Sequence, residues 1–144
     1  MKKILLVSLL AACAAAPAFA RNDAVLVTLQ SVLDMPEAAG KLDGTVKFYL
    51  AGAPTPKVEQ KMGEDIANDK TNAFNKTPEF TCRWAALSAL IKFQNKAKQQ
   101  GANAVIDLVS FNNRVVSGSA TEIECRDGAL IGGISLKGSY AKVR

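Results

Sequence analysis

The chain has 144 residues, 49% of them hydrophobic and 22% charged, with 18 basic against 13 acidic side chains and a formal net charge of +5. That length suits one domain with a real core, and the charges are scattered without a run of five like signs, so no nucleic-acid-binding surface is indicated. Histidine is absent, which excludes Ser-His-Asp and Cys-His catalysis and the usual catalytic zinc sets.

The N-terminus has the pattern of a secretion signal. Lys2 and Lys3 precede an apolar run that starts at Ile4 and continues through alanines, and Ala18-Phe19-Ala20 offers small residues at the two positions a signal peptidase reads. Cleavage is expected between Ala20 and Arg21, delivering the protein to the periplasm. A rival pattern, Leu10-Ala11-Ala12-Cys13, has the form of a lipoprotein cleavage box. It would give a signal of only 12 residues and leave seven signal-like residues, Ala14 to Ala20, on the mature chain. Cleavage after Ala20 is therefore preferred to a lipid anchor at Cys13. The apolar run is too short and too alanine-rich for a membrane span, and no other stretch approaches spanning length. Residues 1–20 are thus read as signal and residues 21–144 as a single domain, 124 residues with 16 basic and 13 acidic side chains and a net charge of +3.

In chain order, Ala24 to Val32 is rich in β-branched residues and predicts a first strand. Asp34 offers a cap and Pro36 suits a first helical turn, so Pro36 to Leu42 predicts a short helix closed near Gly44. Thr45 to Leu50 predicts a second strand ending at Gly52. Residues 53–81 contain Pro54, Pro56 and Pro78 among many polar residues; they read mostly as loop, with room for a short strand at 61–67. Cys82 to Gln100 predicts the dominant helix. Cys82, Ala86, Ala89, Leu90, Phe93 and Ala97 share one broad apolar face, with Trp84, Leu87 and Ile91 extending it. Gln94 intrudes on that face and reads as a satisfied amide. Thr81, or Pro78 with Glu79, would start the helix, and Gly101 would stop it. Asn103 to Phe111 predicts a central strand, Asn112 to Gly118 a polar loop, and Thr121 to Arg126 a strand. Asp127-Gly128 is a turn signal, and strands at 130–136 and 139–143 close the sheet. The expected fold is α+β: one long and one short helix on a mainly antiparallel sheet of about five strands.

With the signal removed, Cys82 and Cys125 are the two remaining cysteines, 43 positions apart. That spacing is neither a redox nor a zinc motif, and export makes a structural disulfide the expectation. No P-loop is present, and the glycine-rich stretch Gly128 to Gly133 lacks the Lys-Ser or Lys-Thr ending, so it reads as a turn and a close-packed strand. Glu64, Asp65, Asn68, Asp69 and Asn72 form an oxygen-rich cluster without the calcium-loop spacing, and read as solvated loop rather than a metal site. Glu122 and Glu124 share one face of a strand, the arrangement a carboxylate pair would need for acid–base work, and Asp107 is the other carboxylate around which a catalytic cleft would form. Arg83 and Trp84 offer an anion or aromatic recognition spot. No catalytic residue, metal ligand or cofactor is assigned.

The stretch from Cys82 through Gly101-Ala102-Asn103-Ala104-Val105-Ile106 to Cys125 resembles the Rcs envelope-stress sensor lipoprotein of Gram-negative bacteria, RcsF, over about residues 80–130. A second resemblance spans most of residues 21–142. Lys47-Phe48-Tyr49-Leu50-Ala51-Gly52, Cys82-Arg83-Trp84-Ala85-Ala86-Leu87-Ser88-Ala89-Leu90 and Leu136-Lys137-Gly138 are similar to short exported proteins that often carry the label "excinuclease ATPase subunit". The absent P-loop and the secretion signal contradict that label. The sensor-like resemblance implies a small α+β domain with a helix on a sheet and a long-range disulfide between Cys82 and Cys125. The sensor's second disulfide has no counterpart in this chain. The functional expectation is a non-enzymatic periplasmic binding or envelope-associated module, whose partner is an envelope protein or a small ligand, with stress sensing as what the resemblance implies. The alternatives are a carboxylate-dependent enzyme and a purely structural envelope component.

Overall fold

A computed structural model describes residues 20–144. Residues 1–19, which carry most of the expected signal and Cys13, lie outside the described residues. Over the described residues the fold is α+β, with a long and a short helix on a mixed sheet of six strands.

Strand β1 (Asp23–Thr28) runs directly into the short helix α1 (Leu29–Leu33). Thr28 is the reason the strand stops: its hydroxyl accepts a hydrogen bond from the Ser31 backbone N–H at 3.1 Å and caps the helix. The expected strand to Val32 is thus four residues too long, and the short helix lies before Pro36 rather than after it. Asp34 is the C-cap of α1, with its N–H donating to the Gln30 carbonyl. The segment expected as a helix, 36–42, is a chain of turns, with Met35, Ala38 and Leu42 donating to Val32, Met35 and Ala38. Burial of Met35 and Ala38 against the core holds these turns in place.

Strand β2 (Lys47–Leu50) pairs in parallel with β4 (Ala104–Ser110), the one parallel pair among the described residues. The largest departure from expectation is β3 (Val58–Asn72), a 15-residue strand where the sequence suggested mostly loop with room for a short strand at 61–67, which lies inside it. It runs antiparallel along the whole of β6 (Ile131–Val143), from Val58 opposite Val143 to Asn72 opposite Ile131. Its Asp, Asn, Lys and Gly residues disfavour strand locally, but pairing with β6 overrides that preference. Because β3 is an edge strand with one solvated side, its charges also block pairing with other chains.

Helix α2 (Pro78–Gln100) begins one turn earlier than its apolar pattern suggested. Thr77 accepts from the Phe80 N–H at 3.2 Å, Pro78 occupies the first turn, and Gly101 closes the helix in the left-handed region at φ 75°. Cys82, Ala85, Ala86, Ala89, Leu90, Phe93 and Ala97 are buried on the sheet, against Val27, Ile123, Ile134, Leu136 and Tyr140 among others. The alanines let the helix backbone approach the strands closely, while Phe93 meets the Tyr140 ring edge-on at 6.0 Å. Gln94 is buried and satisfied: its amide donates to the Lys41 carbonyl and accepts from the Asp43 N–H, both at 3.0 Å.

Strand β5 (Glu122–Asp127) pairs with β1 on one side and with the start of β6 on the other, giving the order β1-β5-β6-β4-β2 with β3 on the far edge of β6. The two strands expected at 130–136 and 139–143 are one, β6. Gly138 does not break it, because its missing side chain makes room: a Cβ there would lie 2.9 Å from Leu108 Cδ1 and 2.9 Å from Val105 Cγ1. Opposite Gly138, β4 bulges at Asp107, whose φ is +53°. Cys82 and Cys125 form a disulfide, with Cα atoms 5.8 Å apart, across the helix–sheet interface. Among the described residues, no helix is long and apolar enough to cross a membrane.

Candidate functional site

Helix α2 covers the inner face of the sheet, and two adjoining pockets open on its outer face. Alternation along β5 buries Ile123, Cys125 and Asp127 and turns Glu122, Glu124 and Arg126 outward. The same alternation on β6 turns Gly133, Ser135 and Lys137 outward, and Ile66, Asn68 and Lys70 on β3 fall on that side. The result is an open groove. One part, about 380 Å³, is lined by Arg21, Asn68, Lys70, Asn112, Asn113 and Arg126, with Asp69 at its wall. A second part, about 450 Å³, shares Asn68, Asn113 and Ser135 and adds Ile66, Phe111 and Arg114.

The groove is cationic and rich in hydrogen-bonding groups. Lys70 and Arg114 have no carboxylate within 4.0 Å among the described residues, whereas Arg126 pairs with Glu124 at 2.9 Å and keeps a buried Nε without a partner. Arg21 donates from Nε to Asp23 at 2.7 Å and from Nη2 to the buried Asp127 at 2.9 Å. The hydrogen bond to Asp23 raises the guanidinium pKa further above its ordinary value, so Arg21 is a permanent cation at the groove. Lys137 lies over the Phe111 ring, 5.2 Å from its centroid, and pairs with Glu64 at 3.0 Å. At the junction, Asn113 and Arg114 both adopt left-handed backbone, φ +54° and +62°, in the short 3₁₀ turn Asn112–Arg114. Asparagine accepts that conformation readily; for arginine it is a strained choice that the surrounding contacts enforce.

The residues singled out from sequence fall elsewhere. Glu122 and Glu124 do share the outer face of β5, but neither lines the groove, and Glu124 is engaged by Arg126. Arg83 and Trp84 sit early in α2, where Trp84 stacks on Phe80 at 6.2 Å and packs on the edge of the core. Asp107 is exposed and pairs with Lys61 at 3.1 Å. The oxygen-rich cluster on β3 is divided by alternation. Asp65 and Asp69 meet Lys96 and Lys92 of α2, each at 2.7 Å, while Glu64 reaches Lys137. Among the described residues, no three His, Cys, Asp or Glu side chains converge as a metal site. The glycine-rich stretch is accounted for by close packing: a Cβ on Gly132 would lie 2.3 Å from Thr81 Cγ2, and one on Gly128 would lie 2.8 Å from the Ile131 carbonyl. Ala20 and Arg21, the expected cleavage point, lie at the start of the described chain, ahead of β1.

Lys70, Asn113, Arg114 and Arg126 went unnoticed in the sequence because they are brought together from three separate segments. The one local signal was Asn112-Asn113-Arg114, a polar run directly after a buried strand. No protein-family model, curated protein or solved structure matches this chain.

Proposed function

We propose that the protein is an exported, non-enzymatic binding module of the bacterial cell envelope, and that the outer-face groove takes an anionic ligand or an acidic segment of an envelope partner. The observation that carries the reading is the cationic groove itself: Lys70 and Arg114 stand without carboxylate partners beside amide side chains of Asn68 and Asn113. Such an arrangement recognises anions by charge and by directed hydrogen bonds. The sequence supports export through Lys2-Lys3, the apolar run and Ala18-Phe19-Ala20, and cleavage before Arg21 places the mature protein in the periplasm. Stress sensing, suggested by the resemblance to RcsF, is the finer form of the same proposal: a ligand seated beside the strained Asn113-Arg114 turn would alter the surface that turn presents.

The test is a titration of isotopically labelled protein, residues 21–144, with inorganic pyrophosphate, followed by amide chemical shifts. Saturable shifts at Asn68, Lys70, Asn113 and Ser135 that weaken with added salt and disappear in Arg114→Ala are expected. Absence of saturation, or shifts centred on Glu122 and Trp84 instead, would overturn the proposal.

A further inference from the structure

At one end of the molecule three large apolar side chains stand in solvent: Phe74 is 58% exposed, Leu130 64% and Ile131 59%. Their backbones adjoin at this end. The Ala73 N–H donates to the Leu130 carbonyl at 2.9 Å, and Ile131 lies opposite Asn72 in the β3–β6 ladder. The chain enters the fold at the same end, since a Cβ on Gly128 would lie 3.2 Å from the Arg21 carbonyl.

Solvated loop tips of a small domain are ordinarily polar, and an apolar cluster at one end marks a contact surface. Its surroundings name the occupant. Lys70 and Lys76 flank the cluster with no carboxylate within 4.0 Å among the described residues, while Glu79 is the acidic side chain at the nearby start of α2. Apolar side chains beside lysines are the combination that seats a protein on an anionic lipid surface, where each signal alone gives only marginal binding. We infer that the Phe74–Leu130–Ile131 tip docks on an anionic bilayer surface. This surface adjoins the groove, with Ile131 and Lys70 lining both, and adds Phe74, Leu130 and Lys76, which the groove does not use.

The test is co-sedimentation of residues 21–144 with vesicles of phosphatidylcholine alone or with about 30% phosphatidylglycerol. Binding to the anionic vesicles is expected, at least about tenfold weaker for Phe74→Ser combined with Leu130→Ser, and reduced in Lys76→Glu. Phe74→Trp should bind as the native chain does and show a blue-shifted indole emission on the anionic vesicles. Unfolding curves of each variant, which alter only exposed side chains, establish that the fold is intact. Equal sedimentation of the native chain and the double serine variant would overturn the inference. So would a concentration-dependent dimer, lost in the double variant, without any vesicle binding. Pyrophosphate binding in the groove is read separately, so either result can fail alone.

Discussion

Glu124 illustrates how single side chains complete this sheet. Its backbone faces the place where the edge of β6 passes from β5 to β4, and ladder partners are missing there. Ser110 and Asn112 supply them: Ser110 Oγ accepts from the Glu124 N–H at 2.7 Å, and Asn112 Nδ2 donates to the Glu124 carbonyl at 2.7 Å. Asn112 Oδ1 also accepts from the Ser135 N–H at 3.0 Å. Replacing Asn112 with alanine strips a partner from two main-chain groups, and each orphaned group costs about 1–3 kcal/mol. Chemical denaturation should register that loss, and amide exchange at Ser135 should quicken before exchange in the rest of β6 does. Gly132 is constrained in the opposite sense. A methyl group there runs into Thr81 across the helix–sheet interface, and Thr81 is itself buried, so it has little space to move into. Gly132→Ala should destabilise the protein by about 1–3 kcal/mol, measured as a lower denaturation midpoint with an unchanged slope.

At the scale of elements, the disulfide is what ties α2 to β5. Cys82 lies in the second turn of the helix and Cys125 opposite Val25 in the β1–β5 pair, so the bond joins the helix start to the strand pair that closes one side of the sheet. Closing a loop of 43 residues stabilises the folded state by about 4 kcal/mol in the chain-entropy picture. Cys82→Ser and Cys125→Ser should each lower stability by about 2–5 kcal/mol, and the double variant should be no worse than the weaker single one. Urea unfolding of the three variants checks this, and two free thiols in denatured, unreduced protein would show that the pair is not bonded. The other side of the sheet is held differently. There β3 is fastened to α2 by Lys92 with Asp69 and by Lys96 with Asp65, while Lys92 also donates to the Asn68 carbonyl at 2.7 Å.

For the whole molecule, the consequence of these charged contacts is a stability that depends on pH at both ends of the scale. Burial opposes ionisation of Asp65, but hydrogen bonds from Lys96, the Ile66 N–H and the Tyr140 hydroxyl outweigh it and hold the carboxyl below its ordinary value of 3.8. Asp43 is lowered further by Lys98 and Thr45. A carboxyl depressed in the folded state contributes fully above the unfolded value and loses that contribution as pH falls. Tyr140 is raised above its ordinary value of 10.0, first by burial and then by its hydrogen bond to Asp65 at 2.9 Å. Its contribution is present below that value and is lost as pH rises beyond it. Stability should therefore decline below pH 3.8 and again above pH 10.0. Asp65→Asn should flatten the acid limb and Tyr140→Phe the alkaline limb, as followed by urea unfolding across pH.

Much of this arrangement is written locally. The apolar face of α2, its stop at Gly101, the buried run of β4 and the turn at Asp127-Gly128 follow from periodicity and from residues with a single backbone use, so the chain alone makes them legible. The pairing of Cys82 with Cys125 follows from their number once the signal is set aside. Only a short piece of β3, residues 61–67, was legible as a possible strand, because the full Val58–Asn72 strand depends on hydrogen bonds to β6, far along the chain, and its own composition argues against it. The turns at 35–42 and the early α1 were misplaced for the same reason: Thr28 and Asp34 can each cap a helix, and burial of Met35 and Ala38 decides between them. The groove is the extreme case. Arg21, Lys70, Arg114 and Arg126 lie on four segments with no shared spacing, and only the order of strands around β6 brings them to one face. Local chemistry determined α2, its stop and the buried run of β4; long-range pairing, whose energy belongs to neither partner alone, determined the full length of β3 and which side chains meet.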